Sequence, residues 1–138
     1  MTPLGDAEYQ RLLEFRDGLR RFLHWSEEQA SAVGLTPAQQ QLLLAVRGHR
    51  APSGPTVGDV AEHLQLRHHS AVGLVDRAEA AGLVTRHADP DDGRVVRVAL
   101  SGLGAHLLAR LSALHLEELR RLSPRVRALW TDLDRSGA

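Results

Sequence analysis

The sequence has no cysteine and no lysine, few aromatic residues and no long apolar run. Without cysteine, a disulfide framework, a thiolate metal site and thiol-based redox sensing are excluded. No apolar stretch approaches the roughly 20 residues that a membrane-spanning helix needs. The segment from Met1 to Gly18 also lacks the apolar core of a secretory signal. We therefore expect a soluble, cytoplasmic protein that does not enter the membrane.

The charge of the chain is balanced, with 17 basic and 17 acidic residues. A nucleic-acid-binding domain usually carries a basic surplus, so composition alone does not favour that class. Every residue counted as basic is arginine. Its planar guanidinium binds phosphate and guanine through two parallel hydrogen bonds, although a GC-rich genome would produce the same bias. Any affinity for DNA must therefore come from where the arginines lie.

Two helices are predicted in the first third of the 138-residue chain. Apolar residues recur at three- and four-residue spacing from Asp6 to Ala32, which predicts a long amphipathic helix. Thr36 and Gln39 have the spacing of a capping box, and Pro37 occupies the first helical position. The helix that they start is expected to end near His49.

The C-terminal third is rich in leucine and is expected to be helical. One helix is predicted from Leu103 to about Leu122, and Ser123-Pro124 predicts a break that starts a last helix. The terminal helices, at 6–32 and 103–135, therefore flank a central lobe at 36–100. We expect one domain with this organisation over residues 1–138.

The central lobe contains two short helices followed by a hairpin. The helices are predicted at Thr56 to Leu64 and Arg67 to Ala81, and the strands at 83–88 and 94–100. The segment 89–93, Asp-Pro-Asp-Asp-Gly, has the composition of a tight turn. This order predicts a winged helix-turn-helix, so the expected fold is mainly α with a small β-hairpin wing.

In such a fold the second short helix enters the major groove, and the hairpin reaches across the phosphates. The apolar face of this helix is occupied by Ala71, Leu74, Val75 and Ala78, so its opposite face is left for DNA. Gly73 would allow a close approach of the backbone. The candidate DNA-binding residues of the helix and hairpin are Arg67, His68, His69, Ser70, Gly73, Arg77, Arg86 and Arg94.

From Leu35 to Ser101 the sequence resembles the MarR family of bacterial regulators. The resemblance rests on the segments Val60-Ala61-Glu62-His63-Leu64, Ser70-Ala71-Val72-Gly73-Leu74-Val75-Asp76-Arg77, Gly82-Leu83-Val84, Asp89-Pro90-Asp91-Asp92-Gly93-Arg94 and Leu100-Ser101. It implies a transcriptional repressor that binds a pseudo-palindromic site on double-stranded DNA as a homodimer. It also implies that the first and last helices form the dimer.

The resemblance assigns roles to individual residues as well. The Asp-x-Arg pair of the family wing falls on Asp92 and Arg94, where the Asp would orient the wing and the Arg would reach the minor groove. Relatives are often released from DNA by small aromatic compounds. Phe22, Trp25 and His24 are the candidate residues for such an effector, and plain core or dimer packing is the competing interpretation.

A metal, cofactor or catalytic role is not predicted. Adjacent side chains such as those of His68 and His69 point about 100° apart on a helix, so they chelate poorly. Ser53-Gly54-Pro55 lacks the lysine of a phosphate-binding loop, and Ser70 lies on a helix rather than at a nucleophile elbow. Histidine titrates near neutral pH, which raises the hypothesis that DNA binding tightens as the pH falls to about 6.

We therefore expect a DNA-binding repressor and not an enzyme. Two alternatives remain open at this stage. The neutral charge is compatible with a winged helix that binds another protein, and the aromatic residues are compatible with a protein that only binds small molecules.

Overall fold

The computed structural model describes residues 2–136 and confirms a mainly helical fold with one hairpin. The elements in chain order are α1 (Asp6–Ala32), α2 (Pro37–Gly48), α3 (Val57–Leu64), α4 (His68–Ala80), β1 (Val84–Ala88), β2 (Val96–Leu100) and α5 (Gly102–Ser136). None of the described helices has the length and apolar character that crossing a bilayer requires.

The chain divides into two compact units. The terminal unit contains the described residues of Met1–Gln29 and Ser112–Ala138, and the central unit is Ala30–Leu111. Because the divisions fall inside α1 and α5, both long helices contribute to both units.

The central unit holds the hydrophobic core. Leu42 and Leu43 of α2, Val60 of α3, Val75 of α4 and Val98 of β2 are fully buried there. Val75 lies on the predicted apolar face of α4, and together these side chains fix α4 against the rest of the unit. Burial of one such side chain contributes about 1.5–3 kcal/mol relative to exposure, so the core determines the orientation of α4.

Local capping signals set the helix boundaries. Thr36 and Gln39 form the predicted reciprocal capping box at the start of α2, and Thr56 forms a second one with Asp59 at the start of α3. Gly82, with φ of +75°, ends α4, and the amide of Leu83 donates to the carbonyl of Ala78. This is the Schellman arrangement expected of a helix that stops at glycine.

The two strands of the hairpin pair in antiparallel register, with Val84 opposite Leu100 and Ala88 opposite Val96. An isolated bridge joins Thr56 to Arg97, and the amide of Val98 donates to the carbonyl of Pro55. The loop between α2 and α3 therefore continues the sheet on its second edge.

The predicted break at Ser123-Pro124 is wrong, because α5 continues through Pro124 to Ser136. Proline removes one backbone hydrogen bond and crowds the preceding turn. Side chains on both sides of the proline, Leu119, Leu122, Val126 and Leu129, nevertheless line one groove of the terminal unit. Their spacing of three and four residues stays in phase only if the helix is unbroken, so the apolar face overrides the local signal.

Candidate nucleic-acid interface

The N-terminal end of α4 presents a cluster of exposed polar groups. Arg67 is the N-cap residue and makes no capping bond with its side chain, and His68 and His69 are exposed. Ser70 is half-buried, whereas Ala71 is fully buried against the core. The structure thus places the predicted polar and apolar residues on different faces of α4.

The turn before α4 is tight because Gln65 adopts a left-handed conformation, with φ of 53° and ψ of 47°. Its amide donates to the carbonyl of Glu62, and the amide of Leu66 donates to that of Ala61. This turn ends α3 and leaves two residues before His68. It therefore determines the angle at which α4 leaves the core.

Arg86 has two acidic partners on α4. Its Nη2 lies 2.5 Å from Oδ1 of Asp76, and its Nη1 lies 3.0 Å from Oε1 of Glu79. The sequence predicted that Arg86 binds DNA, and that remains a prediction. The structure shows that its guanidinium joins the wing to α4 and neutralises two carboxylates of that helix.

The predicted pair at the tip of the wing is present. Asp92 accepts hydrogen bonds from the Nε and Nη2 atoms of Arg94, at 3.0 and 3.2 Å, and from the amide of Arg94 at 3.1 Å. The guanidinium, followed by the amide, lowers the pKa of Asp92. The side chain of Arg94 is still 91% exposed. The carboxylate therefore orients an arginine that remains accessible to a ligand.

The base of the wing contains a second pair that sequence reasoning missed. Arg97 donates through Nε to Oδ2 of Asp89 and through Nη1 to the carbonyl of Gly54, the latter at 2.7 Å. Asp89 also accepts from the amides of Asp91 and Asp92. The pKa of Asp89 is lowered, first by Arg97 and then by these amides. A turn sequence indicated where Asp89 lies but gave no sign of its partner, because Arg97 is eight residues away.

Gly54 is required at the base of the wing for a steric reason. Its φ is +89°, and a Cβ at this position would lie 2.7 Å from the carbonyl oxygen of Val98. The loop between α2 and α3 can therefore approach β2 closely only if residue 54 is glycine. Arg97 then connects this loop to the turn of the wing.

These pairs account for four of the five acidic residues of α4 and the wing, Asp91 being the exception. Asp76 and Glu79 bind Arg86, Asp89 binds Arg97, and Asp92 binds Arg94. The carboxylate of Asp59 accepts from the amide of Thr56, and the amide of Asp59 donates to the hydroxyl oxygen of Thr56. The hydrogen bond from the Thr56 amide is the main cause of the lowered pKa of Asp59. A neutral total charge is thus compatible with an exposed face that carries arginine and histidine.

Sequence reasoning also missed a pair of histidines, His49 and His63. Nδ1 of His49 lies 3.0 Å from Nε2 of His63, and Nε2 of His49 lies 3.5 Å from Oδ2 of Asp59. These residues come from the end of α2 and from α3, so their spacing in the sequence gave no signal. Within residues 2–136, no three His, Cys, Asp or Glu residues are grouped in a way that could hold a metal ion.

The aromatic residues predicted to bind an effector lie in the terminal unit. Phe22 and Trp25 line an apolar groove of about 790 Å³ between α1 and the second half of α5. Their rings also contact His115, whose Nε2 is 2.6 Å from the hydroxyl of Ser26. His24 does not line this groove; its ring is exposed and lies 2.8 Å from Glu28.

Comparisons with known proteins give a consistent result. The sequence model of the MarR family matches residues 33–95. A search of curated protein sequences finds no match.

Several solved structures resemble the chain. AbsC, a MarR family transcriptional regulator from Streptomyces coelicolor, is 20% identical with a TM-score of 0.75 over 99% of this chain and 93% of its own. A MepR–DNA complex from S. aureus is 20% identical with a TM-score of 0.67 over 90% and 94%. CouR from Rhodococcus jostii RHA1, bound to p-coumaroyl-CoA, is 27% identical with a TM-score of 0.67 over 80% and 74%.

The matched segment contains α2, the helix-turn-helix, β1 and the turn of the wing, and the structural likeness to AbsC extends over nearly the whole chain. The predicted winged helix fold is therefore confirmed. Residues 33–95 of the chain are therefore assigned to the MarR family.

Proposed function

We propose that this protein is a transcriptional repressor that binds a pseudo-palindromic operator as a homodimer and is released by a small aromatic effector. The observation that carries the proposal is the sorting of charge in the central unit. All the acids of α4 and of the wing except Asp91 are held by Arg86, Arg94 and Arg97. Arg67, His68 and His69 remain exposed at the end of α4 that would enter the major groove.

The wing extends this surface. Arg94 is fixed by Asp92 at one side of its guanidinium and is otherwise exposed. A narrow minor groove has an enhanced negative potential, which favours an inserted arginine. MepR, a structural neighbour, has been crystallised as a DNA complex, which supports the same use of this fold here.

A homodimer is supported by the terminal unit. Among its described residues none is buried, whereas Leu12, Leu23, Leu116 and Trp130 are exposed apolar side chains. Large exposed apolar surfaces mark interaction sites. A second copy of the unit would cover these side chains and bring two α4 helices together. On DNA, the two helices would lie about one helical turn apart, roughly 34–36 Å.

Release by an effector is supported by the groove that contains Phe22 and Trp25. Its volume of about 790 Å³ suits a small aromatic ligand. CouR, at 27% identity, is bound to p-coumaroyl-CoA, an aromatic thioester. Binding there would reduce the affinity for DNA if the ligand favours a dimer whose α4 helices no longer match the spacing of the operator.

DNA binding can be tested by selecting duplexes from a random library and measuring their affinity by fluorescence anisotropy. We expect a palindromic sequence, two protomers per duplex and an affinity that falls steeply with salt. Arg67→Ala should weaken binding without changing the dimer. A purified protein that binds no duplex at low ionic strength would refute the proposal.

The effector can be tested with phenolic acids and their CoA thioesters. We expect a ligand to quench the fluorescence of Trp25 and to weaken DNA binding. Trp25→Phe retains Trp130 as a control and should lose the quenching. A ligand that binds tightly without changing the affinity for DNA would favour a protein that only binds small molecules.

A further inference from the structure

Arg77 lies on the exposed side of α4, and its side chain folds back towards the N-terminus of the helix. A Cβ at Gly73 would lie 3.1 Å from Nη1 and 3.8 Å from Cζ of Arg77. The two residues are four positions apart, so they are stacked on one helical face. The guanidinium therefore rests on the backbone at Gly73, roughly one turn, or about 5 Å, closer to the polar end of α4 than its own Cα.

The carboxylates near Arg77 do not bind it. Asp76 and Glu79 both pair with Arg86 on the wing side of α4. In residues 2–136, Arg77 has neither an ion pair nor a side-chain hydrogen bond. It is thus an exposed cation that lies against Gly73 and is available to a ligand.

We propose that Gly73 and Arg77 together form a phosphate-binding element, in which Gly73 acts as the seat that holds the guanidinium for contact with the DNA backbone. This inference rests on the proposed function, because the phosphate is that of the operator. Arg86 supports the element by removing two carboxylates that would otherwise attract Arg77 or repel the phosphate.

Contact between Gly73 and the guanidinium of Arg77 would favour phosphate binding. A guanidinium that already lies in one position loses less side-chain entropy when it binds phosphate. A Cβ at position 73 would displace the guanidinium by a few tenths of an ångström, because 3.1 Å is shorter than most Cβ contacts, and a larger side chain would displace it further. This assigns to Gly73 a different role from the close approach of backbone to DNA that the sequence indicated.

The main test is Gly73→Ala. Glycine is unfavourable within a helix, so alanine should raise the Tm by a few degrees, about 3 °C. The same change should weaken binding of the selected operator about fivefold, because it displaces a guanidinium that makes a charge-assisted hydrogen bond. A merely structural glycine would not give this combination of a more stable protein with weaker binding.

A double-mutant cycle identifies the partner. Arg77→Ala should weaken binding about tenfold and reduce the salt slope by about one. In the Arg77→Ala background, Gly73→Ala should change the affinity by less than about twofold, because the two residues act as a unit. Gly58→Ala is the control, since a Cβ there would contact only Oγ1 of Thr56, at an ordinary 3.6 Å.

The outcomes are distinct. If Gly73→Ala weakens binding equally with and without Arg77, the methyl group meets DNA directly and the seat is refuted. If Arg77→Ala leaves the affinity and the salt slope unchanged, the phosphate contact is refuted. If the unmodified protein binds no duplex, the proposed function itself fails.

Discussion

The central and terminal units differ in whether their apolar side chains are buried and their carboxylates are paired. The central unit contains every buried apolar residue of the described chain and pairs most of its carboxylates internally. The terminal unit buries none of its described residues and exposes many large apolar side chains. The comparison indicates that the central unit buries its apolar side chains within itself, whereas the terminal unit leaves an apolar surface exposed, which the proposed dimer would cover.

The largest effect is expected from a charge on the apolar surface of the terminal unit. Leu23→Glu places a carboxylate where a second copy would pack, and burial of an unpaired charge costs several kcal/mol. We expect the dimer Kd to rise by about 100-fold or more, since each 1.4 kcal/mol is a factor of ten. Sedimentation equilibrium would measure it.

Leu44→Glu is the matched control for this variant. Leu44 lies in the central unit and is exposed to a similar degree, 59% against 55% for Leu23. Leu44→Glu should leave the dimer Kd unchanged. Equal effects of the two substitutions, or none from Leu23→Glu, would remove the distinction between the units.

The second-largest effect is expected on DNA binding, from a substitution in the wing of the central unit. Arg94→Ala should weaken DNA binding about tenfold, because one oriented, charge-assisted contact is lost. The dimer and the Tm should hardly change, since an exposed ion pair contributes little to stability. Anisotropy and thermal melting would show this, and unchanged affinity would count against the wing as a DNA contact.

A smaller effect is expected from the ion pair at the base of the wing. Because the folded pKa of Asp89 is lowered, its contribution to stability is present above about pH 4 and is lost as the pH falls through the folded value. Asp89→Asn should therefore destabilise the protein at pH 7, and the difference from the unmodified protein should shrink at pH 3. Urea denaturation at both pH values would measure it.

Asp91→Asn provides the control for Asp89. Asp91 is exposed on the same turn, and its carboxylate makes no bond to Arg97 among the described residues. Asp91→Asn should not cause the loss of stability at pH 7 that is expected of Asp89→Asn. A difference between Asp89→Asn and the unmodified protein that persists in acid would contradict the proposed linkage.

The smallest effect is expected at the turn before α4. Gln65 is a non-glycine residue with positive φ, a conformation that costs about 1–2 kcal/mol for a side chain with a Cβ. Gln65→Gly removes this cost but adds disorder to the unfolded chain, so we expect a net gain of about 0.5–1 kcal/mol. Gln65→Ala keeps the Cβ and should gain much less, which chemical denaturation would reveal.

Local sequence signals predicted the helices and strands of the central unit to within one or two residues. Capping by Thr36 and Thr56 and the stop at Gly82 depend on contacts between residues close in the chain, so their spacing was informative. The same reasoning failed at Pro124, where a local breaker is outweighed by an apolar face that continues on both sides.

The candidate interface was predicted only in part. The residue types at the start of α4 followed from the helical pattern, and the Asp92–Arg94 pair followed from the resemblance to the MarR family. The pairs Arg86–Asp76 and Arg97–Asp89, and the seat of Arg77 on Gly73, were not. Each of these depends on how a helix, a strand and a loop meet or on the rotamer of a long side chain.

The sequence by itself determined which residues are helical, where the hairpin turns and which side of α4 is apolar, because these properties follow from periodicity and capping within a few residues. Apart from the Asp92–Arg94 pair, only the tertiary structure decided which carboxylates are neutralised by which arginines, because the other pairs join residues that only folding brings together. That pairing leaves the cations at the end of α4 accessible in a chain whose net charge is +0.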